Sequence, residues 1–156
     1  MWSIQYFSTT YQVRYLTPND IDKIYPLYLS QPTYFESMNS LVSKESIVDD
    51  RTSLPPNTPK ENKYYVAYFK ENELVAVLDL INHYPSINEA YTGLGSSLIS
   101  ELITYLTSTP TTTIKLSYAL KNASIQHFWH KMGFKDIKKV NHEYGKMMIA
   151  KRKMQE

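Results

Sequence analysis

Two stretches of the chain hold residues whose types and spacing suit chemistry. The first is Thr92, Gly93, Leu94, Gly95, Ser96, Ser97, which runs into Leu98, Ile99, Leu102, Ile103 and Leu106 at helical spacing. A helix start leaves backbone N–H groups without intrahelical partners, and the summed peptide dipoles place partial positive charge there. Glycine lets an anion approach those groups without a Cβ in the way, and the Ser96 and Ser97 hydroxyls add donors. A diphosphate suits such a turn. A Gly-X-Gly turn into a helix also serves plain chain reversal, and Ser96 and Ser97 also suit the cap and first turn, so both readings stand at this point.

The second stretch begins after Thr109 and Pro110, which stop the helix. Thr113 to Tyr118 alternate as a strand, and Asn122 suits an N-cap, its side-chain oxygen accepting from the following turn. Ile125, Phe128, Trp129 and Met132 then follow at i, i+3, i+4 and i+7, Gly133 suits a left-handed C-cap, and Phe134 opens another strand. An aromatic stripe at this spacing reads first as core, and Asn122 reads first as a cap. His127 and His130 share a helix face but lack a cysteine or a nearby carboxylate in the sequence, so no metal site is expected.

Asn122 followed by Phe128, Trp129, His130, Lys131, Met132, Gly133 and Phe134 resembles the last motif of the GCN5-related N-acetyltransferase (GNAT) family. The glycines before the preceding helix resemble that family's acetyl-CoA pyrophosphate loop, and the order of elements is similar from about Tyr11 to Ala150. The resemblance implies transfer of an acetyl group from acetyl-CoA, as co-substrate, to an amine of a small molecule or protein. It implies coenzyme contacts at Gly93, Leu94, Gly95, Ser96, Ser97, Asn122, Trp129 and Lys131, the last toward the nucleotide end. Many relatives keep a tyrosine as acid where this chain has Trp129, so Tyr118 or a water is the substitute. Glu89 is the carboxylate nearest in sequence to where a base would sit. Tyr25, Tyr28, Tyr34 and Phe35 fall where the family walls its acceptor pocket. A catalytically degenerate GNAT-like domain that binds CoA or a partner is the alternative, as is an α/β domain whose glycines only turn the chain.

The elements that must hold these residues read as follows. Tyr11 to Leu16 alternate as a strand; Thr17, Pro18 and Asp20 then make a helix start, with Ile21, Ile24, Tyr25 and Tyr28 on one face and an end near Ser30. Ser43 to Asp50 suits a second helical piece, and Pro55, Pro56 and Pro59 mark a loop between Arg51 and Lys63. Tyr64 to Phe69 and Leu74 to Ile81 form a hairpin turning at Lys70 to Glu73, and the second run is apolar on both faces, as in a strand covered by helices on each side. Phe134 to Val140 and Tyr144 to Ala150 form a further pair. Only Asn82 to Thr92 remain for the family's next strand and loop, and their Tyr84, Pro85, Ser86 composition reads as a turn, so this region is shortened. Either Gly93 and Gly95 both belong to the pyrophosphate loop, or Glu89 to Gly93 begin the missing strand and only Gly95 does.

The fold class expected is α/β (α+β): one domain spanning residues 1–156, with a central mixed, mostly antiparallel sheet and helices on both faces. At 156 residues and 42% apolar content the chain is long enough for one core. A formal net charge of +2 gives no reason to expect nucleic acid, and no apolar run reaches the ~20 residues that span a bilayer. The absence of cysteine excludes disulfides, thiol catalysis and zinc thiolate sites, and fits a cytoplasmic protein. A homodimer is compatible with all of this.

Overall fold

The computed structural model describes residues 1–30, 42–87, 89–94, 99–142 and 145–154, and for 91–94 and 142 it describes the backbone. In chain order the elements are β1 (Gln12–Tyr15), α1 (Ile21–Leu29), α2 (Lys44–Thr52), β2 (Lys63–Lys70), β3 (Glu73–Asn82), β4 (Glu89–Leu94), α3 (Ile99–Leu106), β5 (Thr113–Ala119), α4 (Ala123–Lys131), β6 (Lys135–His142) and β7 (Gly145–Lys153). The strands form one sheet in the order β1-β2-β3-β4-β5-β7-β6. Every neighbouring pair is antiparallel except β4 and β5.

Local chemistry explains the boundaries. The Asp20 carboxylate takes the Thr17 N–H at 2.8 Å and both Arg14 nitrogens at 2.8 Å, which pins the chain where β1 gives way to α1. Ser43 caps α2 by accepting from the Ser46 N–H at 3.0 Å. Glu71 and Asn72 both have positive φ, at 50° and 68°, the conformation that a two-residue hairpin with matching twist demands. The Asn122 Oδ1 accepts from the Ile125 N–H at 3.1 Å, and Gly133 closes α4 with φ +86°, as the sequence predicts for both.

Two cores lie on opposite faces of the sheet. One is built from Tyr64, Val66, Tyr68, Leu78, Leu80, Ile114, Leu116 and Met148 under α3, α4 and the N-terminal segment of Trp2 and Phe7. The other places Leu16, Tyr65, Ala67, Phe69 and Val77 under Ile24 and Tyr28 of α1 and Ile47 of α2. Alternate residues of β2 enter alternate cores, which is why its sequence reads as continuously apolar.

The stretch after Ile81 differs from the expectation of a turn. β3 runs on through Asn82, a short connection follows, and Glu89–Leu94 is a full strand paired on both sides. Being held between β3 and β5 outweighs the weak local preference of this segment for strand. The strand that the sequence reading lacked is therefore present as β4.

Candidate functional site

The parallel pair β4 and β5 sets the geometry of the site. Their ladder runs Glu89↔Thr113, Ala90↔Ile114, Tyr91↔Lys115, Thr92↔Leu116. Beyond that pair both strands continue, β4 to Leu94 and β5 to Ala119, and no further ladder pair joins them among the described residues. On its other side β4 pairs Thr92 with Leu80 and Leu94 with Asp79, so Gly93 is the extra residue of a bulge. Bulges re-aim a strand and often sit beside active sites. The carboxyl ends of two parallel strands, one of them bulged, frame an opening, and the N-terminus of α4 at Asn122 follows directly after β5.

On the α1 and α2 side of this opening lies a polar cluster in an otherwise apolar core. Asp79 faces Tyr65 across the β2–β3 ladder, and the Lys63 Nζ is 3.1 Å from its carboxylate. The Tyr65 and Tyr28 hydroxyls are 2.9 Å apart. Lys63 also donates to the Ser53 carbonyl at 2.8 Å, which anchors the end of α2 and with it Asp50. Burial, with the neighbouring Asp79 charge, raises the Asp50 carboxyl to about 6. Burial also raises Asp79, against the opposing pull of Lys63. Tyr65 and Tyr28 are raised well above the ordinary tyrosine range, chiefly by burial and further by Asp50 and Asp79, so both hydroxyls stay protonated. Two carboxylates, a buried ammonium and two protonated phenols thus share one pocket of an otherwise apolar core, and the raised carboxyls of Asp50 and Asp79 make it the candidate site.

The residues singled out in the sequence are distributed differently. Glu89 starts β4, three residues before Thr92, the last residue paired to β5, and therefore about 10 Å from where that pairing stops at ~3.3 Å per residue. It forms an ion pair with Lys115 at 2.9 Å. Burial tends to raise its pKa, but hydrogen bonds from Lys115 and Ser86 outweigh this and hold it below the usual glutamate value. Tyr118 lies on the α4 side and donates to Asp136 at 2.7 Å, while His130 Nε2 approaches the same oxygen to 3.0 Å. Burial and the Asp136 contact push Tyr118 well up, so its proton is committed rather than poised for transfer.

Gly93 and Leu94 close β4 instead of opening a helix, which decides between the two alignments in favour of a strand through Gly93. Gly95, Ser96 and Ser97 lie outside the described residues, as do Tyr34 and Phe35. Trp129 is buried between Phe128 and Phe134, with ring centroids 4.9 and 5.2 Å away in edge-to-face contact. Asn122 is buried as the cap of α4, and Lys131 is exposed at that helix's far end. Tyr28 joins the polar cluster, whereas Tyr25 is half-buried on α1 with the Lys44 ammonium 5.9 Å from its ring centroid.

Asp50, Asp79, Lys63 and Tyr65 are the site residues that sequence reasoning missed. The available signal was Asp79, a carboxylate interrupting the apolar run from Leu74 to Ile81. Among the described residues no group of three or more His, Asp or Glu is placed to hold a metal ion, and no helix is long and apolar enough to cross a membrane.

One parallel pair within an otherwise antiparallel sheet, helices on both faces and a capped helix after β5 make up the architecture. Solved structures of the same architecture cover nearly the whole chain. An acetyltransferase from Thermus thermophilus matches at TM-score 0.71 and 19% identity, over 92% of this chain and 97% of that one. A GNAT-family acetyltransferase from Streptococcus agalactiae matches at TM-score 0.67 and 14% identity, over 95% and 98%. An acetyl transferase from Salmonella typhimurium that modifies the N-terminal serine of 50S ribosomal subunit protein L7/L12 matches at TM-score 0.67 and 14% identity, over 94% and 96%. No family model and no curated protein matches the sequence. The chain has the GNAT acetyltransferase fold.

Proposed function

We propose that the protein is an acetyl-CoA dependent N-acetyltransferase whose acceptor amine enters on the α1 and α2 side of the opened sheet. The observation that carries this reading is the cluster of Asp50, Asp79, Tyr28 and Tyr65 beside the β4 bulge. Acetyl-CoA would supply an acetyl group already activated as a thioester. The strand ends past Thr92 and Leu116 have backbone edges suited to an extended arm, Asn122 lies at the adjoining helix start, and the sequence Gly95, Ser96, Ser97 is of a composition that suits its diphosphate.

The chain's own work is to bind an amine, free it of a proton and exclude water. Only an uncharged amine attacks a carbonyl, and a C–N bond then forms while the C–S bond breaks. Asp50, at about 6, is ionised at neutral pH yet basic enough to take up the amine proton, where an unperturbed aspartate would be a weaker base. Asp79 is a neighbouring carboxylate held in register by Lys63, and the two phenols offer neutral hydrogen-bonding groups beside it. A thiolate is a far better leaving group than an alkoxide or amide, so departure does not demand an acid and Trp129 in the family's tyrosine position does not forbid turnover.

That tryptophan is also the one observation favouring a CoA-binding module without catalysis. Thiol release from acetyl-CoA in the presence of pooled amines separates the two readings. Release above the buffer rate supports the transferase, and saturable acetyl-CoA binding without release supports the silent module.

A further inference from the structure

The net charge of +2 averages over two unlike halves of the chain. Residues 1–112 carry seven Lys and Arg against twelve Asp and Glu, whereas residues 113–156 carry ten against three. The fold keeps the two apart in space, because β5, β7 and β6 lie side by side at one end of the sheet and β1, β2 and β3 at the other. Charge segregated in this way produces a field that the net value conceals.

Part of the basic end is already engaged. Lys115 is paired with Glu89 at 2.9 Å, Arg152 is turned to the Met132 carbonyl, and Lys153 also has a partner. Lys135, Lys138 and Lys139 of β6 and Lys146 and Lys151 of β7 remain, and all five are exposed. Strand β6 is the last of the sheet, so these residues lie along and beside its outer edge. Lys138 is opposite Ile149 and Lys139 opposite Met148, which are successive residues of β7 and therefore on opposite faces. The lysines thus flank the edge on both faces. Asp136, the described acid among them, accepts from Tyr118 at 2.7 Å and lies 3.0 Å from His130.

A lysine or two suffices to keep an edge strand from pairing with another chain. Five on two adjacent strands, with Lys135 and Lys151 directly opposed at a cost to the sheet, exceed that need.

We propose that the edge formed by β6 and β7 binds the phosphate backbone of a nucleic acid without reading its sequence. The eight residues of β6 span about 26 Å at ~3.3 Å per residue. A duplex carries one charge per ~1.7 Å of its axis, so this length meets about fifteen phosphates, more than enough on the near side for five lysines. Lysine is a mobile point charge suited to phosphate, and neither strand contains Phe, Tyr or Trp on which a base could stack. A folded acidic protein fits less well, since protein interfaces need an apolar centre and Ile137 is the one large apolar side chain exposed on these strands among the described residues.

The test is fluorescence anisotropy of a labelled 20-base-pair DNA of mixed sequence titrated with the full chain, across a series of salt concentrations. The expected dissociation constant is below about 100 μM at about 50 mM salt, and log affinity should fall linearly with log salt at a slope between about −3 and −5. Lys138→Gln/Lys139→Gln/Lys146→Gln should weaken binding at least tenfold and make the slope shallower by about 2–3, with an unchanged melting temperature because all three side chains are exposed. Lys23→Gln/Lys60→Gln/Lys70→Gln, three exposed lysines outside the basic end, should bind as the parent does. Saturating acetyl-CoA should not displace the DNA. Absence of binding at 50 mM salt overturns the proposal, as does equal weakening by the two triple variants. Displacement by acetyl-CoA overturns it by placing the contact in the coenzyme's own site. Equally tight, equally lysine-dependent binding of poly-glutamate overturns it in favour of an acidic protein partner.

Discussion

Asp79 and Leu94 face each other across the β3–β4 ladder, one step past the bulge at Gly93. This pairing brings Asp79, the carboxylate that interrupts the apolar run from Leu74 to Ile81, to the point where β4 leaves β5, and the behaviour of Lys63 and Asp50 follows from it.

Replacing Asp79 by Asn leaves Lys63, whose side chain is 6% exposed, as a buried charge without its carboxylate. Loss of one partner of a buried pair costs about 3 kcal/mol. Chemical denaturation should show that loss. The double variant Asp79→Asn/Lys63→Met should recover most of it, while acetyl transfer stays impaired in both.

Asp50 makes the opposite kind of contribution. Its folded-state pKa of about 6 lies above the ordinary aspartate value of 3.8, so the folded protein binds that proton more tightly than the unfolded chain. The ionised form therefore costs stability, and the cost builds as pH rises from about 4 to about 6 and stays constant above. After allowance for its partial exposure, Asp50→Asn should stabilise the protein by about 1 kcal/mol at pH 7.5, with the gain fading toward pH 4. Thermal melts across that range check it. A variant that is more stable and less active is the trade-off expected at a working site.

Asp20 behaves in the reverse sense. The Arg14 hydrogen bonds, opposed by burial and reinforced by Thr17, hold its carboxyl far below the ordinary range. It contributes stability above the unfolded aspartate pKa and loses it as pH falls below about 4. Asp20→Asn should cost about 1–2 kcal/mol at pH 7, discounted for a half-exposed Arg14, and clearly less at pH 2. Denaturation midpoints at the two pH values decide it.

Tyr118→Phe and Glu89→Gln test the assignment of roles. Tyr118 is committed to Asp136 and Glu89 to Lys115. Each variant should lose about 1 kcal/mol of stability or less and keep kcat/KM within about twofold. A hundredfold fall in kcat for either would restore it as an acid or base.

Much of the architecture was legible because local chemistry and global fold agree. The Asn122 cap, the Gly133 terminus, the Glu71–Asn72 turn and the doubly apolar β3 each carry their own signature. Glu89–Leu94 was harder to read, since what makes it a strand is its two neighbours rather than its composition. The candidate site was less legible for a related reason. Asp50 on α2, Lys63 on β2 and Asp79 on β3 are far apart in sequence, and the raised carboxyl of Asp50 exists only once packing removes its water. Glu89 and Tyr118 stand out by sequence position alone; strand direction puts Glu89 at the start of β4, and side-chain alternation puts Tyr118 on the α4 face, opposite the polar cluster.

The role of Asp50 as base is tested most directly by the pH dependence of kcat/KM for thiol release from acetyl-CoA, using the best amine from the pool, in the parent and in Asp50→Asn. The parent should lose activity as pH drops through about 6, with that acid limb absent and the rate at least about a hundredfold lower in the variant. An unchanged profile and rate in a folded Asp50→Asn protein would contradict that role.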